Sequence, residues 1–372
     1  MAPSQTRSSR AVWLAAVIVV IVWVQAAYLD DRGEARMRGP VARSGGLAGT
    51  VELALAASPP GDGLATIEDL GYVDTEDLFP KDDHLSEEGN WSRLLFVTIH
   101  GSKGKGNNVL VYNYDKSHAM KHHWDLTGHA LDEQAVKNLE LQNLRGMKAV
   151  GDTLYIASAH SSTSKIIMTE KCSLKPRLAK TFAVKGLDHP YGIAYFRGRI
   201  FATNQNSDTV VYFNVNEART AETPHKFATV RDPRGLVFDR FGRLWVASTV
   251  DGIFVLDGKS GKKLAHIKIG HPVGLALQFN SNTVFVGSVK DNCIYAIDTD
   301  RIKIKRTYTV NSPYKLHHPA GVTIVGNRLF AIGQNVRKLF AWHVDTGKFH
   351  GPILQNLPDR PEQVAVLRCL GQ

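Results

Sequence analysis

Only 3 of the 372 residues are cysteine, Cys172, Cys293 and Cys369. They allow one internal disulfide at most and leave a thiol over, so no disulfide framework holds this chain together. The familiar catalytic signatures are missing too. There is no Gly-x-Ser-x-Gly elbow, no His-Glu-x-x-His pair and no phosphate loop at Walker spacing, which leaves no sequence motif that demands catalysis. Gly101-Ser102-Lys103-Gly104-Lys105-Gly106 joins two strand-like segments instead of opening a helix, and reads as a loop. A long uncharged run occurs at residues 11–29, where 19 residues pass without a charge.

What the chain has is repetition. A loop residue, usually followed by Pro, leads to Gly and then an apolar run, five times between Arg145 and Arg328. The copies are Arg145-Gly146-Met147, His189-Pro190-Tyr191-Gly192, Asp232-Pro233-Arg234-Gly235, His271-Pro272-Val273-Gly274 and His318-Pro319-Ala320-Gly321. Successive glycines stand 46, 43, 39 and 47 positions apart, and a period of about 40–50 residues made of short strands marks a propeller blade. Second strands such as Leu244-Trp245-Val246-Ala247-Ser248 follow turn residues, and third strands such as Gly252-Ile253-Phe254-Val255-Leu256 follow those. Residues 93–99, 108–112 and 120–124 read as the second, third and fourth strands of one more blade. The segment 360–367 restarts the phrase at the other end and supplies that blade's inner strand. The expected fold is therefore an all-β, six-bladed β-propeller closed by its C-terminal strand.

His189-Pro190-Tyr191-Gly192-Ile193-Ala194 and Asp232-Pro233-Arg234-Gly235-Leu236-Val237-Phe238-Asp239 resemble NHL repeats, and Phe201 to Val211 resembles the YVTN type, over roughly residues 94–368. The resemblance implies the fold; such propellers include scaffolds, receptors, lyases and lactonases. Peptide-amidating lyases of this fold hold zinc on histidines inside the inner-strand phrase, where this chain has Tyr191, Val273 and Ala320. Similarity to gluconolactonases, paraoxonases and strictosidine-synthase-like proteins implies instead a channel calcium. Glu362, Asn204 and Asp251 would offer it oxygens, and His100 or His160 would act as general base.

The run at 11–29 is close to the ~20 residues that span a bilayer, and it is expected to be a single-pass, type II signal-anchor helix behind a short basic tail, residues 1–10. The competing reading is a signal peptide cleaved near Ala26, giving a secreted protein. Either one sends residues 91–372, the propeller, into the secretory pathway or outside the cell. Residues 30–90 read as a flexible stem, acidic from 67, with Asn90-Trp91-Ser92 as a glycosylation sequon at Asn90. Charge is divided: +16 over residues 94–372 and −9 over 51–93.

The loops that enter inner strands and follow second strands meet at one face around the axis, where ligand sites favour the concave centre. Arg145, His189, Asn204, Arg234, His271, Lys290, His318 and Arg337 are the expected ligand-binding set. Their charge predicts an anionic partner, an anionic glycan or an acidic protein segment, and the expected compartment, despite the basic charge, excludes nucleic acid. The expected role is a ligand- or protein-binding module, with a calcium-dependent lactonase or esterase as the alternative.

Overall fold

The alternating apolar residues of each repeat fold into four antiparallel strands, and the six resulting sheets make a six-bladed propeller. The computed structural model describes residues 91–100, 107–114, 126–150, 153–160, 162–169, 179–215, 221, 223–358 and 360–370. The expectations for the stem, the run at 11–29, Asn90 and Cys172 lie outside them. Among the described residues no helix is long and apolar enough to cross a membrane.

Blade one closes the ring. Its inner strand is the C-terminal Pro361–Leu370, which pairs antiparallel with Trp91–Ile99 from the other end of the domain, Ile99 opposite Pro361 and Trp91 opposite Leu370. Neither strand keeps an open edge at that seam. The fourth strand of this blade is Leu126–His129, later than the expected 120–124, which falls outside the described residues. A six-residue helix, Glu133–Asn138, precedes blade two; Asp132 caps it by accepting from the Gln134 and Ala135 amides.

The inner strands of blades two to six are Leu144–Val150, Pro190–Phe196, Pro233–Phe238, Pro272–Gln278 and Pro319–Val325. Both faces of each blade are covered by its neighbours, so the core is divided into six apolar clusters, one at each seam. Trp245 and Trp342 are fully buried there. Cys293 is a buried free thiol.

One irregularity recurs in all six blades. Each inner strand carries a bulge directly after its first residue, so that three steps on the inner strand match two on the second. A bulge re-aims side chains and often stands beside a site. Here it turns one residue per blade toward the axis: Arg145, Tyr191, Arg234, Val273, Ala320 and Glu362. The following residue is glycine in five blades, because a Cβ there would collide with the next blade's backbone carbonyl, that of Ala320 in the case of Gly274. In blade one that residue is Gln363.

Candidate functional site

Two rings of residues surround the axis at the face where inner strands begin, here called the top. The outer ring is the loop residue before each inner strand: Asn143, His189, Asp232, His271, His318 and Arg360. All six hold positive φ, between 39° and 58°. Each carbonyl accepts a backbone hydrogen bond from the residue that follows the second strand, such as Val289 N to His271 O at 3.0 Å and Gln334 N to His318 O at 3.0 Å. His, Asn and Asp are enriched in that conformation. The recurring histidine is thus a backbone solution first. The structure also corrects the alignment of the repeats: Arg145 and Glu362 are equivalent to Tyr191, and Asn143 is the residue equivalent to His189.

The second ring is the set of bulged residues, and Tyr191 holds it together. Its hydroxyl donates to Glu362 Oε2 at 2.8 Å. The guanidinium carbons of Arg145 and Arg234 lie 5.3 and 4.9 Å from its ring centroid, within cation–π range. Its ring packs with Val273 and Ala320. Tyr191 therefore meets Arg145, Arg234 and Glu362 directly and shares one apolar cluster with Val273 and Ala320, and its 7% exposure makes it a plug across the top of the channel. Burial, and then the Glu362 charge, push its pKa well above the ordinary phenol value, so it remains a donor.

Above the plug is a shallow cup. Arg145 Nη1 donates to Glu362 Oε1 at 2.5 Å, and its Nη2 lies 3.4 Å from His189 Nε2. Arg234 donates to Gln205 Oε1 at 2.5 Å and pairs with Asp232 at 3.4 Å. The Asp232 carboxylate also accepts from the Thr249 hydroxyl. Both acids of the cup are thereby engaged. His271 and His318 face each other with ring centroids 6.5 Å apart, on the side floored by Val273 and Ala320. The three cup histidines are all held below the usual imidazole pKa, first by burial and then by neighbouring arginines or histidines, so they are neutral at pH 7.

The other expected site residues fall elsewhere. Asn204 clamps its own loop: Nδ2 donates to Gly186 O at 2.8 Å, and Oδ1 accepts from Asp188 N at 3.1 Å. Asp251 is on the rim in a two-bond pair with Arg231. Glu362 is held by Arg145 and Tyr191. The three oxygens proposed for calcium are not assembled, and among the described residues no group of three His, Cys, Asp or Glu stands at metal-holding spacing. His160 Nδ1 is hydrogen-bonded to the Ser162 and Thr163 hydroxyls within its own loop, each at 3.0 Å. His100 is buried at the end of its strand, its amide donating to Arg360 O at 3.0 Å. Lys290 and Arg337 are exposed on the top rim of blades five and six.

No family model matches the chain, and no curated protein does. Solved structures do. One chain of a structure titled "Crystal structure of Nidogen/Laminin Complex" aligns with a TM-score of 0.57 and 17% identity, over 74% of this chain and 98% of that one. The fold is a six-bladed propeller. At that identity the likeness extends to the fold alone. Tyr191 and Gln205 are the parts of the site that reading the sequence passed over. The signal for Tyr191 was present, since it occupies the same position before glycine as Arg145 and Arg234.

Proposed function

We propose that this propeller is a binding module of the secretory pathway or cell surface, of NHL/YVTN-type descent, whose top face receives an acidic protein segment. The observation that carries this is the distribution of unmatched charge. Glu362 and Asp232 are already neutralised by Arg145 and Arg234. Asp291 is turned to the Ser288 and Tyr295 hydroxyls. Lys290, Lys315, Arg337 and Arg360 are exposed on the rim of blades five, six and one, and none of them has an ion pair among the described residues. A carboxylate approaching that sector meets these four cations against the single exposed carboxylate of Asp291 among the described residues, which gives steering and orientation more than raw affinity. The propeller of similar fold was solved in a complex of two proteins, which supports a protein partner. The apolar run at 11–29 supports the location.

The test is binding of a fluorescent poly-glutamate peptide to the full chain. The variant Lys290→Ser/Arg337→Asn/Arg360→Asn uses asparagine where φ is positive, so the backbone is left as it is. It should weaken binding at least tenfold and flatten its salt dependence. Arg231→Ser, which removes a cation already paired with Asp251, should leave binding nearly unchanged. Equal affinity for all three proteins would refute the reading, and retention of a sulfated polysaccharide without peptide binding would transfer it to a glycan.

A further inference from the structure

Exposed apolar side chains and cations gather at one corner of the bottom face, under blades four and five. Three turns meet there, residues 239–243, 257–262 and 298–302. Arg240 Nη2 pairs with Asp300 at 3.3 Å and Arg243 Nη2 donates to Thr299 O at 2.7 Å, which ties the first turn to the third. A Cβ on Gly258 would collide with the Gly242 carbonyl, so the first turn also lies against the second. Phe241 protrudes from the first turn at 42% exposure, with the guanidinium carbons of Arg240 and Arg243 4.5 and 4.7 Å from its ring centroid. Leu264 and Ile304, 52% and 44% exposed, stand at the bottom ends of the outer strands that leave the other two turns, Lys263–Ile267 and Lys303–Tyr308. Lys262, Lys263, Arg301, Lys303, Lys305 and Arg306 are exposed around them, and none has an ion pair among the described residues. The acids of the corner are engaged. Asp257 and Asp298 accept amides of their own turns, Asp239 is buried, and Asp300, the exposed carboxylate of the three turns, is held by Arg240.

We propose that this corner docks on the surface of a bilayer that contains anionic lipid, with Phe241, Leu264 and Ile304 entering the headgroup region and the six cations lying against the lipid charges. Lysine on an outer strand needs no partner by itself, because it guards an open sheet edge against pairing. That role does not call for large apolar side chains exposed beside the lysines. Single exposed apolar residues are ordinary, but here three of the five that the described residues expose share one corner with the cations. A sulfated glycan would match the charge and leave the three apolar side chains in water. An anionic lipid surface takes both, since interfacial binding combines buried apolar area with attraction to anionic headgroups. The corner is on the face opposite the top-face cations, so the proposal stands or falls separately from the acidic-segment reading.

The test is amide hydrogen exchange of the full chain in nanodiscs of phosphatidylcholine alone and of an equimolar mixture with phosphatidylserine. Any insertion of the apolar run at 11–29 is common to both discs, so the readout is local. Peptides covering 239–243, 257–268 and 298–308 should exchange severalfold more slowly in the mixed discs, while the top-face loop 188–192 should not change. Phe241→Ser/Leu264→Thr/Ile304→Thr should abolish the slowing, with threonine keeping the strand preference at the two strand positions. Lys262→Gln/Lys263→Gln/Lys303→Gln/Lys305→Gln should abolish it as well, and Lys290→Ser should leave it intact. Equal exchange in the two discs, or slowing that survives either corner variant, would overturn the proposal. Dextran sulfate added to the neutral discs provides the glycan arm. If it slowed the same peptides as strongly in the apolar variant as in the parent, and the mixed discs did not, the corner would be a glycan site and the lipid proposal would fall. Melting curves identify a variant that fails to fold, and the remaining variant then decides.

Discussion

Tyr191 shows how one side chain can close a channel built from six blades. Its phenol donates to a carboxylate that is nearly fully buried, Glu362 at 3% exposure, which Arg145 also binds. Removing that donor leaves Glu362 with one partner fewer, and a buried acceptor losing a bond costs about 1–3 kcal/mol. Tyr191→Phe should therefore lower the melting temperature by several degrees while preserving the fold. Tyr191→Ala, which also empties the plug, should cost more, on the order of 3–5 kcal/mol by analogy with other buried aromatics. Thermal melts of the two variants check both values. The histidines give a pH dependence. His189, His271 and His318 have native pKa values below those of the unfolded chain. The unfolded state thus takes up protons first as the pH falls. Stability from these groups is complete above about pH 6.5, and it is lost as the pH drops through the lower native values. His271→Asn/His318→Asn should shrink the fall in melting temperature between pH 7.5 and 5, and an unchanged fall would mean that these rings do not titrate as described.

Among the elements, the bulged inner strand sets the spacing of the ring. Thr203 shows the device: its hydroxyl accepts from Gly192 N at 2.8 Å and donates to Arg234 O of the next blade at 2.7 Å. Thr98 does the same between Gln363 N and Arg145 O, at 3.0 and 2.7 Å. The glycines allow adjacent inner strands to approach that closely. Gly274→Ala would bring a methyl group against the Ala320 carbonyl and force two blades apart. Overpacking of that kind costs about 1–3 kcal/mol, and denaturant titration should find Gly274→Ala near the upper end. Gly326→Ala, at a turn with φ of 56° and open space around it, should cost less. The C-terminal strand carries a larger share. Deleting residues 360–372 removes the inner strand of blade one together with Glu362, so it should abolish cooperative melting, whereas a truncated chain that melted like the parent would show that the seam is dispensable.

For the whole molecule, the location proposed here has a direct readout. Expressed in animal cells, the full chain should lose mass on treatment with an N-glycosidase, and Asn90→Gln should already have the lower mass; a parent protein that does not shift would count against a lumenal propeller. The blades were legible in the sequence because period, turn residues and strand composition are local, and a sheet closed on itself needs little else. The six-blade count and the closure of Trp91–Ile99 by Pro361–Leu370 could be read in the same way, as a missing inner strand at one end and a surplus one at the other. The site was only half legible. His-Pro-x-Gly looked like a ligand set repeated three times, yet the histidines recur because each loop needs a residue that accepts positive φ. A repeat phrase cannot separate that backbone demand from chemistry, since both fall on the same residue type. Nor could it show that Arg145, Tyr191, Arg234 and Glu362 converge, because they are up to 217 positions apart and meet only when the ring closes. The sequence by itself determined the blades, since local propensity and hydrophobic alternation suffice for strands. Only the closed ring decided which side chains face the axis and which acids are already spent on arginines, because bulge geometry and pairing across the channel are properties of the assembled circle.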